Sequence, residues 1–576
     1  MKPSRCRPKG KTNRVSNSPG TDTLDSLLAP YAGRGREVLL PVLWDIQTAA
    51  GHVSPEAVHA ISHCLRVPEA DIYGVIGFYS LFHAGPTGER IVRVCTDPVC
   101  GLRGGDALLE ALPDAADLTI EHSPCLGLCE HAPAALVSLR GAGERSLAPV
   151  TDVAQLLDLD KLPDYPVIID ASPAVLLEGA QPHRVQTLAE YGDYAGLRRA
   201  LELTPDEIVD LLDDSGLIGR GGAAFPTGRK WHFTRGDPEA RRWLVCNADE
   251  SEPGTFKDRA LMEACPHRLL EGMAIAARCI GARHGYLFIR GEYPLATQRL
   301  AAAIAEAEAA NLLGKGIGGG DFDFHIEIRR GAGAYICGEE SALFEAIEGK
   351  RGFPRIKPPY PTDVGLFGEP TTVNNVETLA AVPGILTHGA AWFRAMGTEG
   401  SSGSKLVSVS GHVRQAGVYE IEPGISLRAF LEGPCGGMEG ELQAVLMGGA
   451  AGTFLRPEQI DMKLSFEDLR AAGSTFGSGA IMVFNDTVDL RDVLLRLARF
   501  FQHESCGKCF PCQLGTQRQL ELLERAPQPG DAQRLRDVGW TMTEASLCGL
   551  GQTAGSAVLS ALEQWPGMFS LSKHQV

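Results

Sequence analysis

The stretch Ser505-Cys506-Gly507-Lys508-Cys509-Phe510-Pro511-Cys512 sets three cysteines at i, i+3 and i+6, and a fourth cysteine, Cys548, follows further along the chain. Three thiolates in one run with one remote partner suit a cubane iron–sulfur cluster. Structural zinc more often takes two separated pairs of Cys or His ligands, so zinc or unligated thiols are the alternatives. The stretch therefore predicts a [4Fe–4S] site and a protein that moves electrons.

Another set of four cysteines lies nearer the N-terminus and is called the first cysteine set, so that Cys506, Cys509, Cys512 and Cys548 are the second. Cys95 and Cys100 are separated by four residues, and Cys125 and Cys129 by three. Two close pairs fit the four thiolate positions of a binuclear cluster, with two thiolates for each iron. The flanking residues predict that these thiols lie at strand ends and turns. We expect a [2Fe–2S] site here, with two disulfides or four buried small hydrophobes as the alternatives.

Composition and charge bound the kind of protein. The chain has 576 residues, 44% hydrophobic and 22% charged, which is ordinary for a globular protein of about three to five domains. The net charge of −17 argues against a nucleic-acid-binding surface. Neither a secretory signal nor an apolar stretch long enough to span a bilayer is evident. We expect a cytoplasmic protein whose residues 1–30 form a disordered basic tail.

A glycine-rich segment, Gly219–Trp231, carries the second chemical signature. Its first six residues satisfy the G-x-G-x-x-A fingerprint of dinucleotide-binding folds. The context does not fit, because no apolar strand precedes the segment, and Pro226 and Gly228 should interrupt the helix that would follow. Small residues still let backbone N–H groups approach an anionic phosphate, and Arg229 or Lys230 can add charge. A structural loop without a ligand is the alternative.

Three further clusters combine polar side chains with small residues. Asn247–Asp258 follows an apolar, strand-like run and delivers an amide, carboxylates and a hydroxyl to one place. Gly331–Ser341 pairs glycine flexibility with two adjacent acids, and Thr371–Thr378 offers neighbouring amides. Such groups are natural partners for ribityl and ribose hydroxyls and for the ring nitrogens of a cofactor. Together with the glycine-rich segment, they predict a nucleotide-cofactor site.

With these motifs and both cysteine sets, the chain resembles the NADH-binding flavin subunit of respiratory complex I and its relatives, fused behind the small binuclear-cluster subunit of the same module. The resemblance runs from about Leu39 to Met568. It implies an α/β multidomain fold with non-covalent FMN, NAD(H), one [2Fe–2S] and one [4Fe–4S] cluster. The implied domains are a helical and thioredoxin-like [2Fe–2S] domain (31–165), a linker (166–185), a Rossmann-like FMN- and NADH-binding domain (186–400), a β-grasp, ubiquitin-like or SLBB-like insert (401–470) and a C-terminal helical bundle with the [4Fe–4S] cluster (480–576).

The resemblance also assigns roles to residues, position by position. It implies that Glu252 and Glu340 lie near the nicotinamide and the flavin edge as catalytic residues, with Lys357 near the dinucleotide. The implied aromatic surfaces for adenine are Phe225, Phe233 and Tyr360. The other implied cofactor-binding residues are Gly219, Arg220, Gly221, Gly222, Gly228, Lys230, Asn247, Asp249, Glu250, Ser251, Gly338, Glu339, Asn374, Asn375 and Thr378. The implied cluster ligands are Cys95, Cys100, Cys125, Cys129, Cys506, Cys509, Cys512 and Cys548.

The implied activity is that of a diaphorase subunit, which passes electrons between NAD(H) and iron–sulfur clusters through FMN. Fusion of the two subunits disfavours ordinary complex I, which usually keeps them separate. The intact cysteine sets and the end of the chain soon after Cys548 look most like the β subunit of a molybdenum- or tungsten-dependent formate dehydrogenase. The alternatives are the diaphorase subunit of an NAD-reducing hydrogenase, a fused complex I-like NADH dehydrogenase, and a non-catalytic cluster scaffold.

Formate or hydrogen chemistry requires a separate large catalytic subunit, because no further cysteine group in this chain could hold a metal centre or a third cluster. We therefore expect a hetero-oligomer.

Overall fold

The structure is a computed structural model, and it describes residues 21–158, 165–171, 173–236 and 239–569. The predicted basic tail is too long, because helix α1 (Thr21–Leu28) lies within residues 1–30 and buries Leu24 and Leu28. Two apolar side chains one turn apart give this helix a core-facing side, which a disordered segment lacks. The predicted disorder of residues 1–20 lies outside the described residues.

Three more helices form the predicted helical region. They are α2 (Leu39–Ala50), α3 (Pro55–Leu65) and α4 (Glu69–Phe78). The Ser54 hydroxyl caps α3 by accepting a hydrogen bond from the Ala57 N–H at 3.2 Å, and a proline occupies the first turn. Val58, Ile61 and Leu65 are buried at helical spacing and form the core-facing side of α3.

A small α/β domain carries the first cysteine set. Its elements, with one short strand that follows it, are β1 (Arg90–Cys95), α5 (Pro98–Leu102), α6 (Gly105–Glu110), β2 (Leu118–Ser123), β3 (Ala135–Leu139), β4 (Gly143–Leu147), α7 (Val153–Leu157) and β5 (Ile169–Ala171). The sheet order is β2-β1-β3-β4, with β1 and β2 parallel and the other pairs antiparallel. Cys95 is the last residue of the inner strand β1, so its thiol lies at the carboxyl end of that strand.

The next domain is built around a four-stranded parallel sheet. Its elements are α8 (Leu188–Tyr191), α9 (Ala195–Glu202), α10 (Pro205–Ser215), α11 (Thr227–Thr234), β6 (Trp243–Ala248), α12 (Lys257–Ala264), α13 (Pro266–Ile280), β7 (His284–Ile289), α14 (Pro294–Ala309), β8 (His325–Arg330), α15 (Glu340–Ile347), β9 (Thr371–Asn375), α16 (Val376–His388) and α17 (Ala390–Arg394). The strand order is β8-β7-β6-β9. The chain moves outward from β6 and then returns to add β9 on its other side. Ligands of such sheets bind at the carboxyl ends of the strands where this reversal occurs.

The helix after the glycine-rich segment differs from the sequence-based expectation. We expected Pro226 and Gly228 to interrupt it, but Pro226 takes the N-cap position and α11 runs through Gly228. A Cβ atom at residue 228 would lie only 2.9 Å from the carbonyl oxygen of Val209 on α10. Glycine therefore lets these two helices approach closely, which outweighs its low helix propensity.

A six-stranded sheet forms the core of the insert, defined here as residues 401–485. The elements of this region are β10 (Gly397–Thr398), β11 (Ser401–Ser402), β12 (Lys405–Gly411), β13 (Gly417–Ile421), α18 (Leu427–Glu432), β14 (Leu442–Met447), β15 (Thr453–Leu455), α19 (Phe466–Ala471) and β16 (Ala480–Asn485). The sheet order is β15-β14-β16-β12-β13-β5. Strands β12 and β13 pair antiparallel.

Two predicted domain boundaries therefore need correction. Strand β16 lies beyond residue 470 but is central in the insert's sheet, where it pairs with β12 and β14. Strand β5 lies in the predicted linker, 166–185, yet it pairs in parallel with β13. The same segment is tied to the insert by backbone N–H groups of Leu176 and Leu177, which donate to the Glu420 carboxylate at 2.8 and 3.1 Å. Short strands of this kind are added by long-range pairing, which the local sequence pattern does not reveal.

The last domain is a helical bundle. Its helices are α20 (Leu490–Glu504), α21 (Phe510–Glu524), α22 (Asp531–Ala545), α23 (Gly549–Thr553) and α24 (Ser556–Gln564). Short 3₁₀ helices elsewhere in the chain span Ala29–Tyr31, Arg36–Val38, Cys129–His131, Ile317–Gly319, Tyr335–Gly338, Leu366–Gly368, Pro457–Gln459 and Pro566–Phe569. Within the part of the chain that the structure describes, no helix has the length and apolar character needed to cross a bilayer.

Candidate functional site

The carboxyl ends of β6 and β9 bring the predicted amide side chains together. Asn247 on β6 lies beside Asn375 on β9. The Asn247 Nδ2 group donates to the carbonyl oxygen of Gly338 at 2.8 Å, and Asn374 Oδ1 accepts from the indole N–H of Trp231 at 2.8 Å. Strand ends thus connect the predicted polar clusters at the reversal point of the sheet.

The glycine-rich segment packs against the end of β9 and the start of α16. The Arg220 N–H donates to Thr378 Oγ1 at 2.8 Å. A Cβ atom at Gly221 would lie 3.1 Å from Cβ of Asn375, and Gly222 has φ +113°, a conformation that L side chains rarely adopt. This segment therefore needs its glycines for close approach and for backbone geometry.

The guanidinium group of Arg220 is buried beneath this segment. Its Nη2 donates to the Ser402 carbonyl of the insert at 2.7 Å, and the group lies 5.7 Å from the Phe466 ring centroid. Nη1 has no hydrogen-bond partner among the described residues, and burial lowers the pKa of Arg220. A buried cation with a free donor fits an anionic ligand.

Asp249 supplies the complementary acceptor. Its Oδ1 accepts from the Ser251 hydroxyl at 3.2 Å, whereas Oδ2 is buried without a hydrogen-bond partner among the described residues. Burial raises the pKa of Asp249 well above the usual range of a carboxyl group. An acceptor left unpaired in the interior costs free energy, so this position fits a ligand that donates hydroxyl or N–H groups.

Glu250 makes structural contacts that the sequence did not predict. Its two carboxylate oxygens accept from the backbone N–H groups of Asp258 and Arg259 at 2.8 and 2.9 Å, at the start of α12. The Tyr293 hydroxyl donates to the same carboxylate at 3.2 Å. The carboxylate thus binds the N-terminus of α12, where orphan N–H groups favour an acceptor. Its predicted contact with FMN stays a prediction.

Glu252 points from the same motif toward the insert. Its Oε1 accepts from the Ala451 N–H at 2.9 Å, and a Cβ atom at Gly449 would lie 2.6 Å from its carboxyl carbon. Burial raises the pKa of Glu252 to about 7. The insert therefore forms one wall around this predicted catalytic residue.

We expect Glu252 to impose a pH dependence on NADH binding. Because its pKa is raised, the side chain is neutral below about pH 7 and negatively charged above it. A new negative charge near a phosphate-bearing nucleotide should raise the KM for NADH as the pH increases through 7. Glu252→Gln should flatten this rise, measured as KM against pH with an artificial electron acceptor. The same profile in both proteins would remove Glu252 from the nucleotide site.

The adjacent acids Glu339 and Glu340 form a charged cluster with two lysines. Glu339 Oε2 accepts from the Ser341 N–H at 3.0 Å and so caps α15. Lys357 Nζ lies 3.0 Å from Glu339 and 2.6 Å from Glu340, and Lys230 Nζ lies 3.9 Å from Glu340. Four predicted site residues from three separate segments therefore meet in one place.

The three predicted aromatic surfaces are unusually exposed. The exposed fractions are 41% for Phe225, 50% for Phe233 and 56% for Tyr360. Aromatic rings of this size are usually buried, so their exposure fits contact with a planar ligand group. Their predicted stacking on adenine stays a prediction.

The second cysteine set lines a cavity at the tip of the helical bundle. Cys506, Cys509, Cys512 and Cys548 surround it, together with Ile336 and Pro354 of the parallel-sheet domain. All four are free cysteines. Among the described residues, no group of three His, Cys, Asp or Glu side chains is arranged to hold a single metal ion. The four cysteines instead surround a cavity. Four thiols around one cavity fit a cubane cluster.

The first cysteine set is also gathered and buried. Cys125 and Cys129 have their sulfur atoms 3.4 Å apart, and Cys95 is in contact with Cys100 and Cys125. The Cys125 N–H donates to Asp97 at 2.7 Å, which fixes the ligand loop. All four thiols are free, so the structure does not support the two-disulfide alternative. The arrangement fits a binuclear cluster with four thiolate ligands.

Two buried arginines that the sequence analysis missed bind this cysteine loop to the parallel-sheet domain. Arg290 donates to the carbonyl oxygens of Cys125 and Glu250 at 2.6 and 2.7 Å. Arg259 donates to the Gly127 carbonyl at 2.8 Å and pairs with Glu130 beside the loop. Their partners are distant in sequence, so no local spacing signals these roles.

One loop connects the nucleotide site with the second cysteine cavity. Within Gly331–Ser341, the Gly338 carbonyl accepts from Asn247, while Ile336 lines the cavity. The Tyr335 N–H donates to Glu504 Oε2 at 2.8 Å, and Glu504 is the last residue of the helix that precedes the cysteine run. The two sites are therefore joined directly, without an intervening domain.

Three family models match the chain. The Nuo51 FMN-binding domain matches residues 212–384, the thioredoxin-like [2Fe-2S] ferredoxin matches 24–155, and the NADH-ubiquinone oxidoreductase-F iron-sulfur binding region matches 492–571. The first span includes all four predicted nucleotide clusters, and the other two include all eight predicted cluster ligands. These matches confirm the predicted fold class and the cofactors FMN, NAD(H), [2Fe–2S] and [4Fe–4S].

Curated proteins and solved structures are similar over most of their length. The NAD-reducing hydrogenase HoxS subunit alpha of Cupriavidus necator is 35% identical over 571 residues, covering 94% of this chain and 93% of that protein. An NADH-quinone oxidoreductase subunit of Rhizobium meliloti is 45% identical, covering 67% of this chain and 94% of the relative. A crystal structure of NAD+-reducing [NiFe]-hydrogenase in the air-oxidized state aligns with a TM-score of 0.80 and 34% identity, covering 93% of this chain and 94% of that one.

Proposed function

We propose that this chain is the diaphorase subunit of an NAD-dependent formate dehydrogenase, because of the family to which it belongs. The chain is a member of the family of NADH-binding flavin and iron–sulfur subunits of respiratory complex I and its relatives. In this chain that subunit is fused to the thioredoxin-like [2Fe–2S] subunit of the same module. The chain is an oxidoreductase subunit of a hetero-oligomer.

The observation that carries the diaphorase role is the Gly331–Ser341 loop, which contacts both the nucleotide site and the [4Fe–4S] cavity. FMN, when bound, exchanges two electrons with the nicotinamide and single electrons with iron–sulfur clusters. Asp249 and Arg220 each offer an unpaired polar atom to hold it. The exposed aromatic rings would orient the dinucleotide, and the apolar Ile336 lines the cysteine cavity on the side of this loop.

The support for a formate dehydrogenase is the combination of fused domains and complete cysteine sets. A fused thioredoxin-like domain disfavours an ordinary complex I subunit, and the Rhizobium meliloti protein accordingly matches only 67% of the chain. All four ligands of each predicted cluster are gathered. The family resemblance then favours a molybdenum- or tungsten-containing α subunit as the partner that oxidises formate in the cytoplasm.

A second candidate is the diaphorase subunit of an NAD-reducing hydrogenase. It is favoured by the collinear match with the Cupriavidus necator protein over 94% of the chain. In this case the partner would be a nickel-containing hydrogenase module. The contacts of this chain's own cofactor site serve either partner.

Elemental analysis of the native complex tests the proposal. The complex would be purified anaerobically through a tag on this chain, and molybdenum, tungsten and nickel would be compared with iron. We expect molybdenum or tungsten together with formate-dependent NAD+ reduction. Nickel would transfer the assignment to a hydrogenase, and iron alone would contradict both and indicate an NADH dehydrogenase. Absence of flavin and of NADH-driven reduction of artificial acceptors would instead identify a scaffold.

A further inference from the structure

A cluster of buried charged side chains lies beneath the glycine-rich segment. We call Lys257, Asp258, Glu377 and Lys405 the buried charge network. Glu377 Oε2 lies 2.8 Å from Lys257 Nζ and 2.9 Å from Lys405 Nζ, and Lys257 Nζ lies 2.7 Å from Asp258 Oδ1. Each of these side chains is at most 4% exposed. Lys405 is the first residue of β12, so the insert supplies one member of a network that otherwise belongs to α12 and α16.

The network touches the residues that shape the nucleotide site. Asn375 Nδ2 donates to Asp258 Oδ2 at 2.6 Å, and the same asparagine packs against Gly221. Thr378, the residue after Glu377, accepts from the Arg220 N–H. The charges therefore lie directly behind the glycine-rich segment.

Positive charge is in excess in this part of the interior. The cations Arg220, Lys257 and Lys405 face the carboxylates of Asp258 and Glu377. The neighbouring lysines and Arg220 hold the pKa of Glu377 at about 2 in spite of its burial, so it stays ionised. Burial lowers the pKa of Lys405 to about 8, which leaves it mostly charged at neutral pH. An uncompensated buried cation costs free energy, and Arg220 Nη1 has no partner among the described residues to offset that cost.

Glu250 does not remove this excess. It accepts the Asp258 N–H and so lies next to the network. Burial, together with the nearby Asp258, raises its pKa, which favours the neutral form of this side chain. An anion bound beside Arg220 would compensate the remaining positive charge.

We propose that Arg220 and the buried charge network behind it together provide the counter-charge for bound FMN, and that Lys405 makes the insert a positioning part of the flavin site. FMN carries a phosphate group, and a low-dielectric surrounding strengthens its attraction to a fixed positive charge. Lys405 acts through Glu377 and Arg220 rather than by touching the cofactor.

Lys405→Met tests the proposal on the full-length chain with its clusters retained and FMN removed. Titration with FMN, followed by flavin fluorescence, should show binding weaker by about tenfold, because the excess positive charge is lost. The double variant Lys405→Met/Glu377→Gln removes one charge of each sign. It keeps an acceptor for the Leu406 N–H, which donates to Glu377 at 2.9 Å. The double variant should recover FMN affinity to within about twofold of the parent.

The change in FMN affinity from Lys405→Met to the double variant separates electrostatics from simple packing. If the network were only structural, the double variant would bind FMN more weakly than Lys405→Met, and that result would overturn the proposal. Unchanged affinity in folded Lys405→Met would overturn it too. Lys463→Met, at an exposed lysine of the same insert, is the matched control and should bind FMN like the parent. If Lys405→Met does not fold, FMN affinity is measured in the double variant alone. A tenfold loss of affinity in that variant would contradict charge compensation and overturn the proposal.

Discussion

Replacing Cys506 with alanine is expected to remove the [4Fe–4S] cluster and to block electron transfer out of the flavin. The remaining three thiols line one cavity and cannot complete four-thiolate ligation. Iron content should fall from about six to about two atoms per chain, the remainder being the binuclear cluster. Transfer from NADH to the partner subunit should fall by at least about a hundredfold. Anaerobic bleaching of the flavin by NADH should persist, because the nucleotide site lies on other segments.

Iron analysis and low-temperature electron paramagnetic resonance measure this outcome together with flavin absorbance. Cys435→Ala is the matched control, since Cys435 is a buried free thiol of the insert rather than of either cysteine set. It should retain both cluster signals. A Cys506→Ala protein that keeps about six irons would refute the assignment of this cysteine as a ligand.

The sequence predicts those parts of the site whose residues lie close together in the chain. Three cysteines close together in one run, or an amide at a strand end, carry their chemistry in their own spacing. The apolar run before Asn247 predicts a strand end, and β6 ends one residue after it, at Ala248. The dinucleotide fingerprint was rejected for lack of a preceding strand, and the observed segment follows α10 instead.

The parts that were missed depend on partners far away in sequence. Arg259, Arg290 and Lys405 look like ordinary surface charges in the sequence, yet all three are buried among acceptors from other segments. Strand β5 reads as a Pro-containing linker, and only its pairing with β13 gives it structure. Helix α11 tolerates Gly228 because α10 lies against it. In each case tertiary contacts outweigh the local preference.

The positions of these missed residues explain why the domains act as one unit. Arg290 joins the Cys125–Cys129 loop to the Asn247–Asp258 motif, and Glu504 joins the Cys506–Cys512 run to Tyr335. Lys405 joins the insert to the helices behind the glycine-rich segment. Each junction is a buried charged or charge-assisted contact, which is stronger and more directional than apolar packing. Such contacts fix the relative positions of cofactor sites, on which electron transfer depends.

Arg259→Ala is expected to destabilise the chain and to release the [2Fe–2S] loop. The guanidinium is fully buried, pairs with Glu130 and Glu263, and donates to the Gly127 carbonyl. Its removal leaves two buried carboxylates without their cation, which costs about 3–5 kcal/mol. We expect a lower Tm for the transition that exposes the thioredoxin-like domain, with loss of the binuclear signal and retention of the [4Fe–4S] signal.

A comparison with an exposed ion pair tests whether burial is the cause of the expected loss of stability. Arg198 pairs with Asp193 at 2.7 Å, but the two side chains are 64% and 60% exposed. Arg198→Ala should therefore change the free energy of unfolding by less than about 1 kcal/mol and should leave both clusters in place. Differential scanning calorimetry and electron paramagnetic resonance on both variants make the comparison. Equal Tm values for the two variants, with the binuclear signal intact in Arg259→Ala, would show that the buried arginine does not hold the cysteine loop.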